Sequence, residues 1–239
     1  MAEVSYDAKR EELRTYFDRT AVEAWRRLTS DEPVGSVRAT VRAGRAEMRA
    51  NLLSWLPEDP KGMRILDAGC GSGALAVEAA RRGADVVAVD ISPTLVNLAK
   101  ERSASEAFAE RIDWRVGDYL SPDLGDFDYV VAMDSLIHYE GSDIAKTLDT
   151  LAARTSQAMI VTIAPRTLPL TIMHAVGKLF PRGDRSPAIA PISQAALERE
   201  MQQFPGLANW RLTRSYRVAR GFYISEALEF HKDLEACSA

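Results

Sequence analysis

Cysteine is scarce in this chain of 239 residues, which contains only Cys70 and Cys237. The two cysteines do not lie at a spacing typical of metal ligands, and no HExxH, CxxC or EF-hand pattern occurs. The sequence therefore predicts no metal site built by the protein. A disulfide is not expected either, and the cytoplasm is the default compartment for a chain with so few cysteines.

Long apolar runs and an excess of basic charge are also absent. No stretch approaches the ~20 apolar residues of a transmembrane helix, and the first residues lack a signal-peptide pattern, so neither a membrane span nor secretion is expected. The formal net charge is −4, and no basic stripe is interleaved with aromatic residues, which disfavours nucleic acid as a partner. Hydrophobic residues make up 46 % of the chain, enough to bury the core of a globular domain.

Strand and helix patterns alternate through the middle of the chain, which predicts an α/β fold with a parallel sheet covered on both faces. Two further extended runs near the end of the chain predict an antiparallel hairpin that closes the sheet. The predicted strands cover 64–69, 85–90, 112–118, 127–134, 157–165, 209–219 and 221–231, and the main helices cover 72–82, 92–102, 143–153 and 193–203.

The domain organisation follows from changes in pattern. Residues 1–60 are charged and helix-prone, and we interpret them as an N-terminal helical arm or lid. Residues 61–239 form the predicted main domain. Within it, residues 166–192 do not continue the strand–helix alternation and are expected to be an insertion on the substrate side.

A glycine-rich loop lies between the first predicted strand and the first predicted helix, in "ILDAGCGSGALAVEAA" (65–80). Its glycines, Gly69, Gly71 and Gly73, permit backbone angles and a close ligand approach that a Cβ would block. The absence of G-K-[ST] excludes a phosphate-binding P-loop. The G-x-G-x-G spacing also departs from the G-x-G-x-x-G of dinucleotide sites, which disfavours an NAD-dependent dehydrogenase. An adenosine ligand without phosphates remains compatible with the loop.

Three aspartates are predicted at the carboxyl ends of successive strands, where open α/β sheets bind ligands. Asp90 follows the glycine loop by about twenty residues, a position suited to a ribose diol, and Asp118 suits the exocyclic amine of adenine. Asp67 precedes the loop. Each aspartate alone is equally compatible with capping a helix or turn, but the three together with the glycines predict a nucleoside site that favours positive charge.

The motifs "LDAGCGSG", "VVAVDIS", "RVGD" and "FDYVVAMDSLIHY", within residues 62–165, resemble those of the class I S-adenosylmethionine-dependent methyltransferases. This resemblance implies S-adenosylmethionine as cofactor, with S-adenosylhomocysteine as its product. It also implies a Rossmann-like, seven-stranded, mostly parallel sheet with one antiparallel strand. The cofactor-binding candidates are Asp67, Gly69, Cys70, Gly71, Gly73, Asp90, Ile91, Asp118, Tyr119 and Met133.

A narrower resemblance includes the arm and the insertion. "YFDRTAVEAWRRL" (16–28) and "GKLFPRGDRSPAIAP" (177–191), together with the motifs above, resemble the magnesium-protoporphyrin IX O-methyltransferases of chlorophyll and bacteriochlorophyll biosynthesis. The resemblance implies methylation of one propionate carboxylate to give the 13-monomethyl ester, with magnesium present only in the porphyrin substrate. It also implies work beside the large subunit of magnesium chelatase and, at most, peripheral membrane contact.

Acceptor-side residues are assigned from this resemblance. His138 is expected to orient the propionate or to accept its proton, and Tyr16 to hydrogen-bond the reacting carboxylate. The alternatives are a packing histidine and an aromatic side chain that anchors the arm. Phe17 is expected to line the porphyrin slot. Arginines are expected to hold the second propionate, against the alternative that they are solvated loop residues: Arg166, Arg182 and Arg185.

Two other functions remain open at this point. One keeps the cofactor but changes the acceptor to another small carboxylate, an amine or a quinone-type ring, since this fold hosts many chemistries. The other is a non-catalytic protein that binds cofactor and porphyrin without turnover.

Overall fold

The structure is a computed structural model that describes residues 6–19, 36–166 and 187–233. In these three ranges, two helices of the arm, α1 and α2, precede a sheet with four further helices. The helices are α1 (Tyr6–Arg19), α2 (Ser36–Trp55), α3 (Ala74–Arg81), α4 (Pro93–Ser103), α5 (Gly141–Ala152) and α6 (Gln194–Met201). The strands are β1 (Arg64–Ala68), β2 (Asp85–Asp90), β3 (Ile112–Val116), β4 (Phe127–Ala132), β5 (Thr155–Ile163), β6 (Trp210–Arg220) and β7 (Tyr223–Lys232).

The seven strands form one sheet in the order β3-β2-β1-β4-β5-β7-β6. The first five strands pair in parallel, and β7 is antiparallel to both of its neighbours, β5 and β6. The order reverses at β1, so the ends of β1, β2 and β4 open onto the crevice where such sheets bind ligands. This architecture confirms the predicted α/β class with one antiparallel strand.

Each face of the sheet has its own apolar core, because successive side chains of a strand point to opposite faces. Leu66 of β1 packs with α5 and α6 on one face, whereas its neighbour Ile65 packs with α2, α3 and α4 on the other. Both strand residues are fully buried. The sheet is therefore covered on both faces, as the alternation of strands and helices predicts.

The two arm helices dock on different parts of this domain. Helix α2 packs on β6, β7 and α3, and Gly44 permits this approach, because a Cβ there would lie 2.5 Å from Tyr223 Cδ1. Helix α1 lies against α4, where the Asp18 carboxylate accepts a hydrogen bond of 2.6 Å from Thr94 Oγ1. A carboxylate at the N-terminus of a helix is also favoured by the helix dipole.

Some element bounds differ from those predicted, for local reasons. Strand β1 ends one residue early because Gly69 adopts φ +82°. Strand β4 ends at Ala132 rather than at Asp134, which itself has φ +56°. Helix α3 begins at Ala74, two residues later than predicted, because its N-cap residue, Gly73, is left-handed.

In residues 6–19, 36–166 and 187–233, no helix is both long enough and apolar enough to cross a membrane. The same part of the chain contains no group of three or more His, Cys, Asp or Glu side chains placed to hold a metal ion.

Candidate active site

The glycine loop is tied to the neighbouring strand and pressed against the segment that follows β4. The amides of Gly69 and Cys70 both donate to the carbonyl of Val89, at 2.9 and 3.0 Å. A Cβ on Gly69 would lie 2.4 Å from Ser135 Cβ, whereas one on Gly71, with φ +53°, would meet nothing within 4 Å. The loop is thus closely packed at Gly69 and open at Gly71.

Two buried carboxylates lie beneath this loop. Asp90 accepts hydrogen bonds from the amides of Gly71 and Ser92, each of 2.9 Å. Asp67 accepts one of 3.1 Å from the amide of Ala76, in the first turn of α3. Burial raises the pKa of both carboxyls, and with the nearby charge of Asp90 it brings the pKa of Asp67 to about 7. A cationic ligand would stabilise both carboxylates.

The third carboxylate, Asp118, receives hydrogen bonds from two directions. Its Oδ1 accepts from the amide of Leu120 at 2.9 Å, and its Oδ2 accepts from the guanidinium of Arg10 in α1. Arg154 holds the same loop from below by donating to the carbonyls of Tyr119 and Ser121. The arm therefore reaches the end of β3, and the half-buried Arg154 fixes the loop that carries Asp118.

Asp134 lies just after the end of β4, as Asp118 lies just after the end of β3. Its carboxylate accepts a hydrogen bond of 3.0 Å from the hydroxyl of Tyr223, and Arg45 Nε of α2 lies 3.7 Å from its Oδ2. Its amide donates to Thr162 Oγ1 at 2.7 Å. Sequence reasoning did not single out this cluster of β4, β5, β7 and α2, because its members are far apart in the chain.

His138 ends a short 3₁₀ turn, and its side chain is 8 % exposed. Its Nδ1 lies 3.2 Å from the carbonyl oxygen of Ala188, and its ring centroid is 6.1 Å from that of Phe17. Since a carbonyl can only accept, Nδ1 carries the proton of this hydrogen bond, and Nε2 of the neutral ring is then an acceptor. Burial lowers the pKa of His138, which favours that neutral form.

The glycine loop, the four carboxylates and His138 surround one cavity of about 400 Å³. Most of the predicted site residues line it: Phe17, Asp67, Gly69, Cys70, Gly71, Asp90, Ile91, Asp118, Tyr119, Met133 and His138. The remaining lining residues were not predicted: Arg10, Leu13, Arg42, Arg45, Ala46, Arg49, Ser72, Ala74, Leu75, Leu95, Asp134, Ser135 and Tyr139. The arginines of α2 follow a spacing of three and four residues, a sequence signal that could have placed them on one helix face.

The structure does not place every predicted site residue in the cavity wall. Gly73 packs against Trp114 instead, where a Cβ would lie 2.3 Å from the indole. Tyr16 does not line the cavity but contacts the edge of Phe17, with ring centroids 5.3 Å apart. Arg166 is exposed and also lies away from the cavity wall. Arg182 and Arg185 lie outside the described residues.

This combination defines the class of protein. A sheet with a single antiparallel strand, a glycine loop after β1 and carboxylates at the ends of β1, β2 and β3 make up the fold of the class I S-adenosylmethionine-dependent methyltransferases. A general methyltransferase-domain family matches residues 65–157, and the family described as magnesium-protoporphyrin IX methyltransferase C-terminus matches residues 132–232.

Comparison with individual relatives identifies the family within this class. The chain is 51 % identical to the magnesium-protoporphyrin O-methyltransferase of Rhodobacter capsulatus over 226 residues, which cover 94 % of this chain and 97 % of the relative. It is 31 % identical to the chloroplastic magnesium protoporphyrin IX methyltransferase of Arabidopsis thaliana, over 92 % of this chain and 70 % of the relative. The chain belongs to the magnesium-protoporphyrin O-methyltransferase family.

A solved structure agrees with this assignment. The crystal structure of magnesium protoporphyrin IX methyltransferase from Synechocystis PCC 6803 with bound SAH superposes with a TM-score of 0.81 at 28 % sequence identity. The match covers 93 % of this chain and 99 % of the solved one. The match therefore extends over nearly the whole length of both chains.

Proposed function

We propose that this chain transfers the methyl group of S-adenosylmethionine to a propionate carboxylate of magnesium protoporphyrin IX and so produces the 13-monomethyl ester of the chlorophyll and bacteriochlorophyll pathways. The observation that carries the proposal is a single cavity with two kinds of lining. The same cavity is lined by the carboxylates Asp67, Asp90 and Asp118 and by the acceptor-side candidates Phe17 and His138.

The residues at the strand ends fit the cofactor. Asp90 uses one lone pair of each carboxylate oxygen for the amides of Gly71 and Ser92, and its remaining lone pairs can accept from both hydroxyls of a ribose. Ser135 Oγ is a buried atom of the lining that has no hydrogen-bond partner among the described residues, and a polar ligand group would satisfy it. When bound, S-adenosylmethionine supplies an electrophilic methyl group on a positively charged sulfur.

The acceptor needs little activation, because a propionic acid titrates near the reference value of about 4.3 for glutamate and is an anion at neutral pH. The chain has to align a carboxylate oxygen and exclude water, and alignment alone supplies a large part of a rate enhancement. We assign His138 Nε2 as the acceptor of a proton from any propionic acid that enters neutral. The hydrogen bond from Nδ1 to Ala188 leaves Nε2 without a proton to donate to an anion.

Tyr16 has a smaller role in this proposal. Its ring contacts Phe17 and does not line the cavity, so Tyr16 acts by holding Phe17 unless its hydroxyl reaches the carboxylate after substrate binds. Tyr16→Phe is expected to reduce turnover no more than a few-fold. A Phe17→Ala variant should lose more affinity for the porphyrin.

The deciding experiment is incubation of the purified chain with S-adenosylmethionine and magnesium protoporphyrin IX, followed by mass analysis of the pigment. One added methyl group, lost on mild alkaline hydrolysis, supports the proposal. Methylation of another small acceptor, or binding of cofactor and porphyrin without product, would refute it.

Two further proposals concern partners. We propose that the porphyrin is received from the large subunit of magnesium chelatase and that contact with membranes is at most peripheral, as the family resemblance implies. The segment "AVEAWRRL" (21–28) combines apolar and basic residues and is the candidate for membrane contact, but it lies outside the described residues. Co-sedimentation of the chain with that subunit, and separately with anionic vesicles, tests each proposal.

A further inference from the structure

The wall of the cavity formed by α2 is basic. Arg42, Arg45 and Arg49 all line the cavity, and their spacing of three and four residues places them on one side of the helix. The carboxylates at the strand ends line the same cavity, and one of them, Asp134, lies beside Arg45. The cavity therefore contains charges of both signs, and a positively charged cofactor group does not use the arginines.

The charge of Arg49 is poorly compensated by the residues around it. It is half-buried, and it makes no hydrogen bond or ion pair with any residue in the described part of the chain. The opposite charge that acts on it, Glu78, is already paired with Arg81 and lies 3.7 Å from Arg82. Burial and the nearby Arg45 both lower the pKa of Arg49. A desolvated cation without a partner is costly, and an anion in the cavity would offset that cost.

Arg45 lies beside Arg49 and is oriented by residues of other elements. Its Nε is 3.7 Å from Asp134 Oδ2, and Asp134 itself accepts a hydrogen bond from Tyr223 Oη at 3.0 Å. The side chain of Arg45 is 25 % exposed. The strands thus hold Arg45 at the cavity next to Arg49, so that two guanidinium groups face the same space.

We propose that Arg49, with Arg45 beside it, forms a carboxylate-binding site in the cavity wall. The proposal rests on the proposed function, which brings two unreacting carboxylates into this cavity: the amino-acid carboxylate of the cofactor and the propionate that does not react. A planar guanidinium binds either one through two parallel hydrogen bonds. If the ligand is the propionate, this site takes the role expected of Arg166, which is exposed and does not line the cavity.

The test uses pairs of ligands that differ in their carboxylate groups. Each result is the ratio of the two affinities within a pair, and this ratio does not depend on the folded fraction of a variant. S-adenosylhomocysteine is compared with methylthioadenosine, which lacks the amino acid, by calorimetric titration. Magnesium protoporphyrin IX is compared with its dimethyl ester by fluorescence quenching. The variants are Arg49→Gln and Arg49→Lys. The control is Arg81→Gln, which removes an exposed guanidinium that also faces Glu78 but does not line the cavity.

In one of the two pairs, Arg49→Gln is expected to weaken binding of the ligand with the carboxylate by roughly 10- to 100-fold, the usual loss for a charged hydrogen-bonded contact. Binding of the ligand without the carboxylate should stay unchanged. Arg49→Lys should lose less, and Arg81→Gln nothing. A loss for S-adenosylhomocysteine assigns the site to the cofactor, and a loss for the diacid porphyrin assigns it to the acceptor.

Unchanged ratios for both pairs in Arg49→Gln would overturn the proposal. Turnover of the unsubstituted chain is measured first, so that the two proposals can fail separately. If no methyl ester forms but Arg49→Gln loses the preference for S-adenosylhomocysteine over methylthioadenosine, the proposed function fails and the carboxylate site stands. If the ester forms and neither ratio changes, the site fails and the function stands.

Discussion

The cavity wall made by the strand ends and the wall made by the arm differ in how they are built. At the strand ends, the amides of the glycine loop bind Val89 and Asp90 on the adjacent strand, in a parallel sheet whose register sets their positions. In the arm, Arg10 meets Asp118 across 108 residues of sequence, and Arg45 meets Asp134 only because α2 docks on β7. The first wall is part of the folded sheet, and the second requires correct docking of two helices. Substitutions in the two walls should therefore have different consequences.

The largest expected effect is at Asp67, in the strand-end wall. Its pKa is raised from 3.8 to about 7, so the unfolded chain releases this proton at lower pH than the folded chain does. Between these pH values the contribution of Asp67 to stability falls as the pH rises, by roughly 4 kcal/mol at 1.36 kcal/mol per pKa unit. In Asp67→Asn, which keeps an acceptor for the amide of Ala76, this loss should disappear.

Urea unfolding of both proteins across that pH range measures the difference. Glu58→Gln, which removes an exposed carboxyl, controls for the change in net charge. Parallel pH profiles for the unsubstituted chain and Asp67→Asn would contradict a buried carboxyl whose pKa is raised in the folded state.

Gly69→Ala should have the next largest effect, on cofactor affinity. Both Gly69 and Gly62 have a left-handed backbone, at φ +82° and +77°, so alanine at either position costs about 1 to 2 kcal/mol of backbone strain. Only at Gly69 does the new Cβ meet another residue, at 2.4 Å from Ser135 Cβ. The glycine loop must then move, and S-adenosylhomocysteine binding is expected to weaken by about 100-fold, or roughly 2.7 kcal/mol. Gly62→Ala serves as the control with strain but no clash, and equal affinity in the two variants would rule out the clash.

Arg154→Met tests whether the loop after β3 is held in place from below. Arg154 donates to the carbonyls of Tyr119 and Ser121, so its loss should loosen the loop and weaken cofactor binding by about tenfold, as expected for a charged hydrogen bond. The KM for porphyrin should stay unchanged. Arg115→Met removes only exposed ion pairs to Asp113 and Asp123, so it should neither loosen the loop nor weaken cofactor binding. Equal weakening of cofactor and porphyrin would mean that the two walls of the cavity are not independent.

The smallest effect is expected at His138, on the acceptor side. If Nε2 takes a proton from a neutral propionic acid, His138→Ala should lower kcat by no more than about twofold at neutral pH, and the loss should grow as the pH falls toward about 4.3, the reference pKa of such an acid. Burial lowers the pKa of His138, which favours the neutral ring that can accept this proton. Pre-steady-state measurement of methyl transfer at several pH values gives the profile. A loss that is constant with pH would show that His138 only orients the acceptor.

The candidate site residues show which features of the site could be predicted from the sequence. The carboxylates at positions 67, 90 and 118 were predicted to meet, because strand ends in a parallel sheet share one edge, and they line one cavity. Tyr16 and Phe17 could not be separated from sequence, since neighbouring helical residues point in directions about 100° apart and only docking decides which one faces the cavity. Phe17 lines it and Tyr16 does not.

The acceptor side was harder to predict for the same reason. The Asp134 cluster joins β4 to Tyr223, which lies 89 residues away, and no short-range pattern connects them. The arginines of α2 did carry a helical spacing, but spacing alone does not say which face of a helix meets the sheet.

The amino-acid sequence by itself determined the alternation of strands and helices, the glycine loop and the acidic strand ends, because these depend on local periodicity and on the common edge of a parallel sheet. Tertiary structure alone decided that α2 brings Arg45 and Arg49 to the cavity and that Arg10 reaches Asp118. Those contacts depend on how two helices pack against a finished domain, and packing depends on the shape of both surfaces rather than on the pattern of either one.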